Sequence, residues 1–156
     1  MSATLKGGDR LMRRLGELAK ARGVVRAGIL EDATNSETRE PIAPYAAYNE
    51  FGTTGIPARP FLRNTVQREG EKWCRGLERA IANGRSVRDA LTLAGMQMAA
   101  DIQATIKSDM PPPNAPATIR AKTKKVDGGA PGETMTPGTL IDTGSMIQAV
   151  NYEVDA

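Results

Sequence analysis

Chemistry in this chain would have to start from very few groups. Asp142, Thr143 and Gly144 follow two apolar residues, Leu140 and Ile141, in the pattern of an aspartic-protease catalytic loop. That reaction needs two carboxylates sharing one proton, so a chain with a single triplet must dimerise and supply a flap from downstream residues. Only 12 residues follow Gly144, too few for the rest of a barrel and a flap. The triplet is therefore read structurally: Asp142 or Thr143 caps a short turn that begins near Ser145 and leads into a last strand. The sequence has no histidine and one cysteine, Cys74. Without histidine there is no Ser-His or Cys-His pair and no imidazole ligand. A lone cysteine makes neither an intrachain disulfide nor a multi-cysteine metal site, and beside Arg75 it has a cation but no base, so Cys74 is read as a structural, buried thiol. Gly52 to Gly55 lacks the Gly-Lys-Ser/Thr ending of a phosphate cradle. Glu31, Asp32 and Glu37 do not follow the ligand spacing of an EF-hand loop. No catalytic residue, cofactor or metal ion is expected.

With catalysis set aside, the elements decide what the chain presents. Its 156 residues, 40% hydrophobic and 25% charged, suit one domain spanning 1–156 with its own core. No uncharged run approaches the ~20 residues of a membrane span. The start, MSATLKGGDR, has no apolar signal region, which sets a cytoplasmic expectation. Residues 1–23 form an N-terminal helix capped by Asp9, about three turns long, with Leu11, Leu15 and Leu18 at helical spacing and Gly23 as terminator. Val24 to Leu30 is β-branched and alternating, a strand with Val25, Ala27 and Ile29 on one face and Arg26 on the other. Residues 31–41 are polar and turn-forming, a flexible loop.

Phe61 to Asn83 carries an apolar stripe of Leu62, Val66, Trp73, Leu77 and Ile81. Ser86 and Asp89 form a capping box for the next helix, with Val87, Leu91, Ala94, Met98, Ile102 and Ile106 as its stripe and Met96 and Met98 as core filler. So short a link makes the two helices antiparallel. After Met110 the chain turns proline- and glycine-rich, with a brief helix from Pro116 to Thr123 and a long flexible loop over 124–139. The final strand alternates Val150, Tyr152 and Val154 against Asn151 and Glu153. The fold class is α+β: a small, mainly antiparallel sheet packed against two long amphipathic helices.

Four of the six aromatic residues, Tyr45, Tyr48, Phe51 and Phe61, fall within YAAYNEFGTTGIPARPFL, residues 45–62. Large aromatics dominate core and interface energetics. Pro44 suits the start of a helical turn on which Ala47, Tyr48 and Phe51 share a face, and Gly52 ends it. Gly55, Pro57 and Pro60 then make a rigid loop, and Pro60 suits a helix start because its missing N–H needs no partner there. The segment reads as an elbow, with Tyr48 and Phe51 in the core and Gly52 to Arg59 as its exposed edge. Asn49 and Glu50 either face a subunit interface or hydrogen-bond the adjoining loop. The candidate interface comprises Asn49, Glu50, Gly52, Thr53, Thr54, Ile56 and Arg59.

NEFGT followed by IPARPFLR and a long helix resembles the virion-morphogenesis proteins of tailed bacteriophages, the tail-completion or head-tail joining family. PPNAPATIRAKT (112–123) and LIDTGSMIQAVNYEV (140–154) resemble two later elements of that family in order and spacing, so the likeness spans 24–154. It implies a non-enzymatic structural protein of a phage or prophage virion, found in the virion and in the host cytoplasm during assembly. It further implies a homo-oligomeric ring, with six subunits as one option, contacting tail-tube and head-tail connector proteins. Loops 31–41 and 124–139 would order as neighbours arrive.

A rival reading comes from charge. The net charge is +3, but Lys6 to Arg26 holds seven basic residues against Asp9 and Glu17, and Arg120, Lys122, Lys124 and Lys125 form a second run. A basic N-terminal helix fits a DNA-binding module. No aromatic interleaves with either run, so any DNA contact would be non-specific and would rest on phosphate charge.

Overall fold

Alternating strands from the two ends of the chain meet as one sheet. The computed structural model describes residues 8–30, 33–35, 39–108, 110–120, 139–140 and 144–156. In chain order the elements are α1 (Gly8–Lys20), β1 (Val24–Ile29), α2 (Ile42–Phe51), α3 (Phe61–Ala82), α4 (Val87–Lys107), α5 (helical over 116–120), α6 (Ser145–Gln148) and β2 (Val150–Asp155). β1 and β2 pair antiparallel, with Val25 opposite Val154, Ala27 opposite Tyr152 and Ile29 opposite Val150. These pairs share the helix-facing side. On the other side Arg26 lies opposite Glu153, and their side chains form an exposed ion pair at 3.2 Å.

A two-stranded sheet is marginal in water unless something covers one face. Here α4 does so, packing against both strands. Its closest approach is at Gly95, where a Cβ would sit 2.4 Å from Tyr152 Cδ2 and 2.9 Å from Val25 Cγ2. Glycine is required there to let the helix backbone settle on the Tyr152 ring. The core gathers Ile42 and Ala46 of α2, Phe61 of α3, Ala99, Ile102 and Ile106 of α4, and Met110, Leu140, Met146 and Val150.

α3 and α4 run antiparallel: Thr65 meets Thr105 near one end, and Trp73 meets Asp101 further along. The turn between them ends at Ser86, whose hydroxyl accepts the N–H of Asp89 at 3.0 Å, the expected cap. Two stripes differ from expectation. On α3 the buried positions are Phe61, Thr65 and Trp73, while Leu62, Leu77 and Ile81 are half-buried and Val66 is exposed. The cause is polar: Thr65 Oγ1 hydrogen-bonds the Phe61 carbonyl and Thr105 Oγ1, each at 2.7 Å, and Trp73 Nε1 donates to Asp101 Oδ2 at 2.7 Å. These partners put Thr65 and Trp73 on the buried side of the helix and leave Val66 outside it. On α4 small residues fill the interface, with Ala90, Ala94, Gly95 and Ala99 buried, and Met96 points outward instead of filling core. Cys74 is exposed on α3, which overturns the buried reading.

Of the loop expected over 31–41, residues 33–35 and 39–41 are tied down: Thr34 bridges Pro41, the Ile42 N–H donates to the Ala33 carbonyl at 2.9 Å and the Asn35 N–H to the Glu40 carbonyl at 2.8 Å. Of the flexible loop expected over 124–139, residues 124–138 lie outside the described residues, as do Asp142 and Thr143, while Thr139 is buried. Gly144 occupies the N-cap of α6 with φ 77°, and the capping role expected of Asp142 or Thr143 falls on residues outside the described ones. Asp9 lies in the first turn of α1 rather than ahead of it.

Candidate functional site

The elbow from 45 to 63 is built from polar contacts buried beneath an apolar skin. Ile42, Ala46, Asn49 and Glu50 recur at helical spacing, and they form the buried face of α2. Two polar residues at the end of that face are held by specific partners. The Asn49 side-chain amide donates to the Tyr45 carbonyl at 2.9 Å, and its backbone carbonyl accepts the Arg59 N–H at 2.6 Å.

Glu50 solves a problem that Pro60 creates. Pro60 stands at the N-cap of α3 without a side chain able to accept a hydrogen bond, and the first turn of any helix has orphan N–H groups. The Glu50 carboxylate reaches across the elbow and accepts the N–H groups of Leu62 at 2.9 Å and Arg63 at 3.2 Å. Negative charge at a helix N-terminus is favourable. Arg63 Nε donates to the same carboxylate at 2.9 Å, and Arg63 Nη2 donates to the Glu50 carbonyl at 2.8 Å. The guanidinium carbon also lies 5.2 Å from the centroid of the Phe51 ring, a cation–π distance.

Gly52 ends α2 with φ 77°, as its place after Phe51 predicts, and its N–H donates to the Tyr48 carbonyl at 2.9 Å. A Cβ there would lie 2.9 Å from the Ala58 nitrogen, so both conformation and space demand glycine. Thr53 organises the following turn: its carbonyl and Oγ1 both accept the Ile56 N–H, and its own N–H donates to the Ile56 carbonyl at 2.8 Å. Arg59 is buried, with Nε donating to the Pro112 carbonyl at 3.0 Å and Nη2 to the Pro113 carbonyl at 3.3 Å. It clamps the chain leaving α4 onto the elbow.

The seven candidate interface residues therefore separate. Thr53, Thr54 and Ile56 are exposed and Gly52 is half-buried, whereas Asn49, Glu50 and Arg59 are buried among local partners. Arg59 is not part of an exposed edge; for Asn49 and Glu50 the hydrogen bonds favour local structure. Tyr48 and Phe51 are not core. They are 52% and 69% exposed, and with Tyr45 at 47% they form an outward aromatic face of α2, with Ile56 also exposed on the loop that follows. Because the Asn49 and Glu50 side must turn inward to cap α3 and hold Arg59, the aromatics at 45, 48 and 51 turn out. The available signal was Ile42, which with Ala46, Asn49 and Glu50 completes an i, i+4, i+7, i+8 face.

Away from the elbow, an open groove of about 840 Å³ runs between α3 and α4, with Trp73, Leu77 and Ala94 among its apolar lining and Arg68, Lys72, Arg75 and Arg79 along its rim. Glu69 stands among these cations. Hydrogen bonds from Lys72 and Arg68 hold its carboxyl below the ordinary 4.5. Both oxygens of Asp101 are engaged, by Trp73 Nε1 and by Gln97 Nε2. Among the described residues no group of three His, Cys, Asp or Glu side chains is placed to hold a metal, and no helix is long and apolar enough to cross a membrane. Compared with protein families, curated proteins and solved structures, the chain finds no match.

Proposed function

We propose that this chain is a non-enzymatic assembly protein of a tailed-phage or prophage virion, which completes or joins the tail at the head-tail interface as a homo-oligomeric ring. The observation that carries the reading is the elbow. A chain with so few aromatics spends three of them on an outward face, mounted on a helix whose inward face is locked by Asn49, Glu50 and Arg59. Rigid, exposed aromatics give contact area at low entropic cost and are enriched at protein interfaces. The same residues carry the resemblance to virion-morphogenesis proteins. Tail-tube and head-tail connector proteins are the partners of this reading.

The deciding experiment is co-purification of the full chain with the tail-tube protein encoded by the same phage or prophage, with Phe51→Ser as the surface variant. A complex formed by the wild type and weakened at least tenfold in the variant supports the reading. Failure of the wild type to bind either the tube or the connector protein removes it. The DNA-binding reading draws on exposed Arg13, Lys20 and Arg22 around the end of α1. It makes a separate demand: duplex binding at low salt that falls steeply as salt rises.

A further inference from the structure

The groove between α3 and α4 has two unlike walls. Arg68, Lys72, Arg75 and Arg79 recur at helical spacing and make one row along α3, about 17 Å long at 1.5 Å per residue. The facing wall, from α4, is uncharged: Ala90, Leu93, Ala94 and Gln97. Glu69 and Glu71 are the two carboxylates of the lining, and both are engaged, Glu69 by Arg68 at 3.1 Å and Lys72 at 3.2 Å, and Glu71 by Arg75 at 3.4 Å. Arg79 forms no ion pair among the described residues. Four cations against two carboxylates leave the lining with a positive surplus.

Between the walls the groove is apolar and wide. Trp73 and Leu77 line it, with Leu93 42% exposed beside them. Gly76 lines it too, in the interior of α3, and a Cβ added there would meet nothing within 4 Å. Neither a turn nor a close approach within the chain requires that glycine, and glycine weakens a helix relative to alanine. What the missing side chain provides is width, so a bulky apolar group from outside can rest against the α3 backbone.

Charge selects the occupant. A ligand that fits needs an apolar stripe with carboxylates on one flank, because complementary potentials steer an approach and fix its register. Nucleic acid has the charge but no apolar stripe. The exposed apolar faces of this chain have the stripe but not the charge: α1, with Met12 and Leu15, carries Arg13, Arg14 and Lys20 against Asp9 and Glu17, and on α2 the Arg63 guanidinium lies over Phe51. We propose that the groove receives an acidic amphipathic helix of a partner protein, laid along α3 with its apolar residues on Trp73, Leu77 and Leu93 and its carboxylates against Arg75 and Arg79. Docking of this kind reads a partner through apolar anchors at helical spacing. The proposal goes beyond the head-tail reading and does not rest on it.

The probe is a dansyl-labelled, tryptophan-free helical peptide of about 18 residues, with leucines at i, i+3, i+4 and i+7 and glutamates flanking them. Trp73 is the only tryptophan of the full chain, so energy transfer from it to dansyl reports binding at the groove. Saturable transfer with a Kd of about 10–100 μM is expected, weakening as salt rises. Arg75→Gln combined with Arg79→Gln leaves two cations against two carboxylates and weakens binding about tenfold. Gly76→Leu fills the groove and abolishes transfer while raising the melting temperature, since leucine is the better helix former, so that loss of binding is not loss of folding. No transfer at about 1 mM peptide, equal binding of a peptide with lysines in place of the glutamates, or unchanged binding by Gly76→Leu each overturns the proposal. A duplex DNA that binds more tightly than the peptide and loses its affinity in the double variant overturns it in favour of a phosphate backbone. Dimerisation of the wild type in sedimentation equilibrium that Gly76→Leu abolishes overturns it in favour of a second copy. Tail-tube binding reads the virion assignment separately.

Discussion

Glu50→Ala probes the contact that orients the elbow. It removes the acceptor of two backbone N–H groups, at 2.9 and 3.2 Å, and of Arg63 Nε at 2.9 Å, from a side chain only 4% exposed. Losing a hydrogen bond to a charged group costs about 1.5–3 kcal/mol, and losing a helix cap about 1 kcal/mol. These overlap, because the capped amides are the hydrogen-bonded ones, and the carboxylate's own burial cost offsets part of the sum. The net loss is about 3 kcal/mol, or a fall in Tm of roughly 6–12 °C for a chain of this size. Glu50→Gln keeps an acceptor oxygen but loses the charge, and is expected to cost about half as much. Arg63→Ala is the control: its side chain is 60% exposed, so the ion pair contributes less than about 1 kcal/mol. Urea unfolding followed by Trp73 fluorescence measures all three, and an unchanged m value shows that the folded state keeps its extent. A Glu50→Ala variant within about 0.5 kcal/mol of wild type, no worse than Arg63→Ala, would refute the account of why α2 turns its aromatics outward.

Three further outcomes follow from the packing. Gly95→Ala gains about 1 kcal/mol of helix propensity but loses more to the Tyr152 and Val25 contacts, so the melting temperature falls; a rise would show that α4 and the sheet stand further apart. Thr65→Val keeps the shape of a buried side chain but leaves the Phe61 carbonyl and Thr105 with one fewer partner, a loss of about 1–2 kcal/mol in the same urea assay. Glu69 is held below its ordinary 4.5 by Lys72 and Arg68, so it binds its proton more readily in the unfolded chain. Its contribution is present above about pH 4.5 and is lost as the pH falls through the lower folded value; acid unfolding of wild type should therefore be steeper below that pH than that of Glu69→Gln, and identical profiles would dismiss the effect.

What the sequence made legible divides along a physical line. Period-two alternation in 24–30 and 149–155 placed both strands and their inward residues, because a sheet face buried by a helix tolerates no slip of register. Ser86, Asp89 and Gly52 announced their caps, since a cap depends on chemistry within four residues. The rotation of α3 about its axis was not legible, and that of α2 left only the spacing of 42, 46, 49 and 50 as a trace, because polar partners outside each helix decide both. Glu50 turns α2 by reaching Leu62, and Thr65 and Trp73 turn α3 by reaching Thr105 and Asp101. Hydropathy counts Val66 as core and Thr65 as surface. Their places are exchanged once a hydroxyl has a partner that no local window contains. The same blindness put Tyr48 and Phe51 inside and Arg59 outside. Tertiary acceptors, here the carbonyls of Pro112 and Pro113, have no sequence signature.

Those two carbonyls have a mechanical consequence. Arg59 grips the chain beyond α4 with its side chain while its own N–H holds the Asn49 carbonyl of α2, three hydrogen bonds in all. A pull on the segment after Pro113 therefore reaches α2 directly, bypassing both long helices. Tension on that segment and the tilt of the aromatic face form a short lever, with Arg59 as its fulcrum.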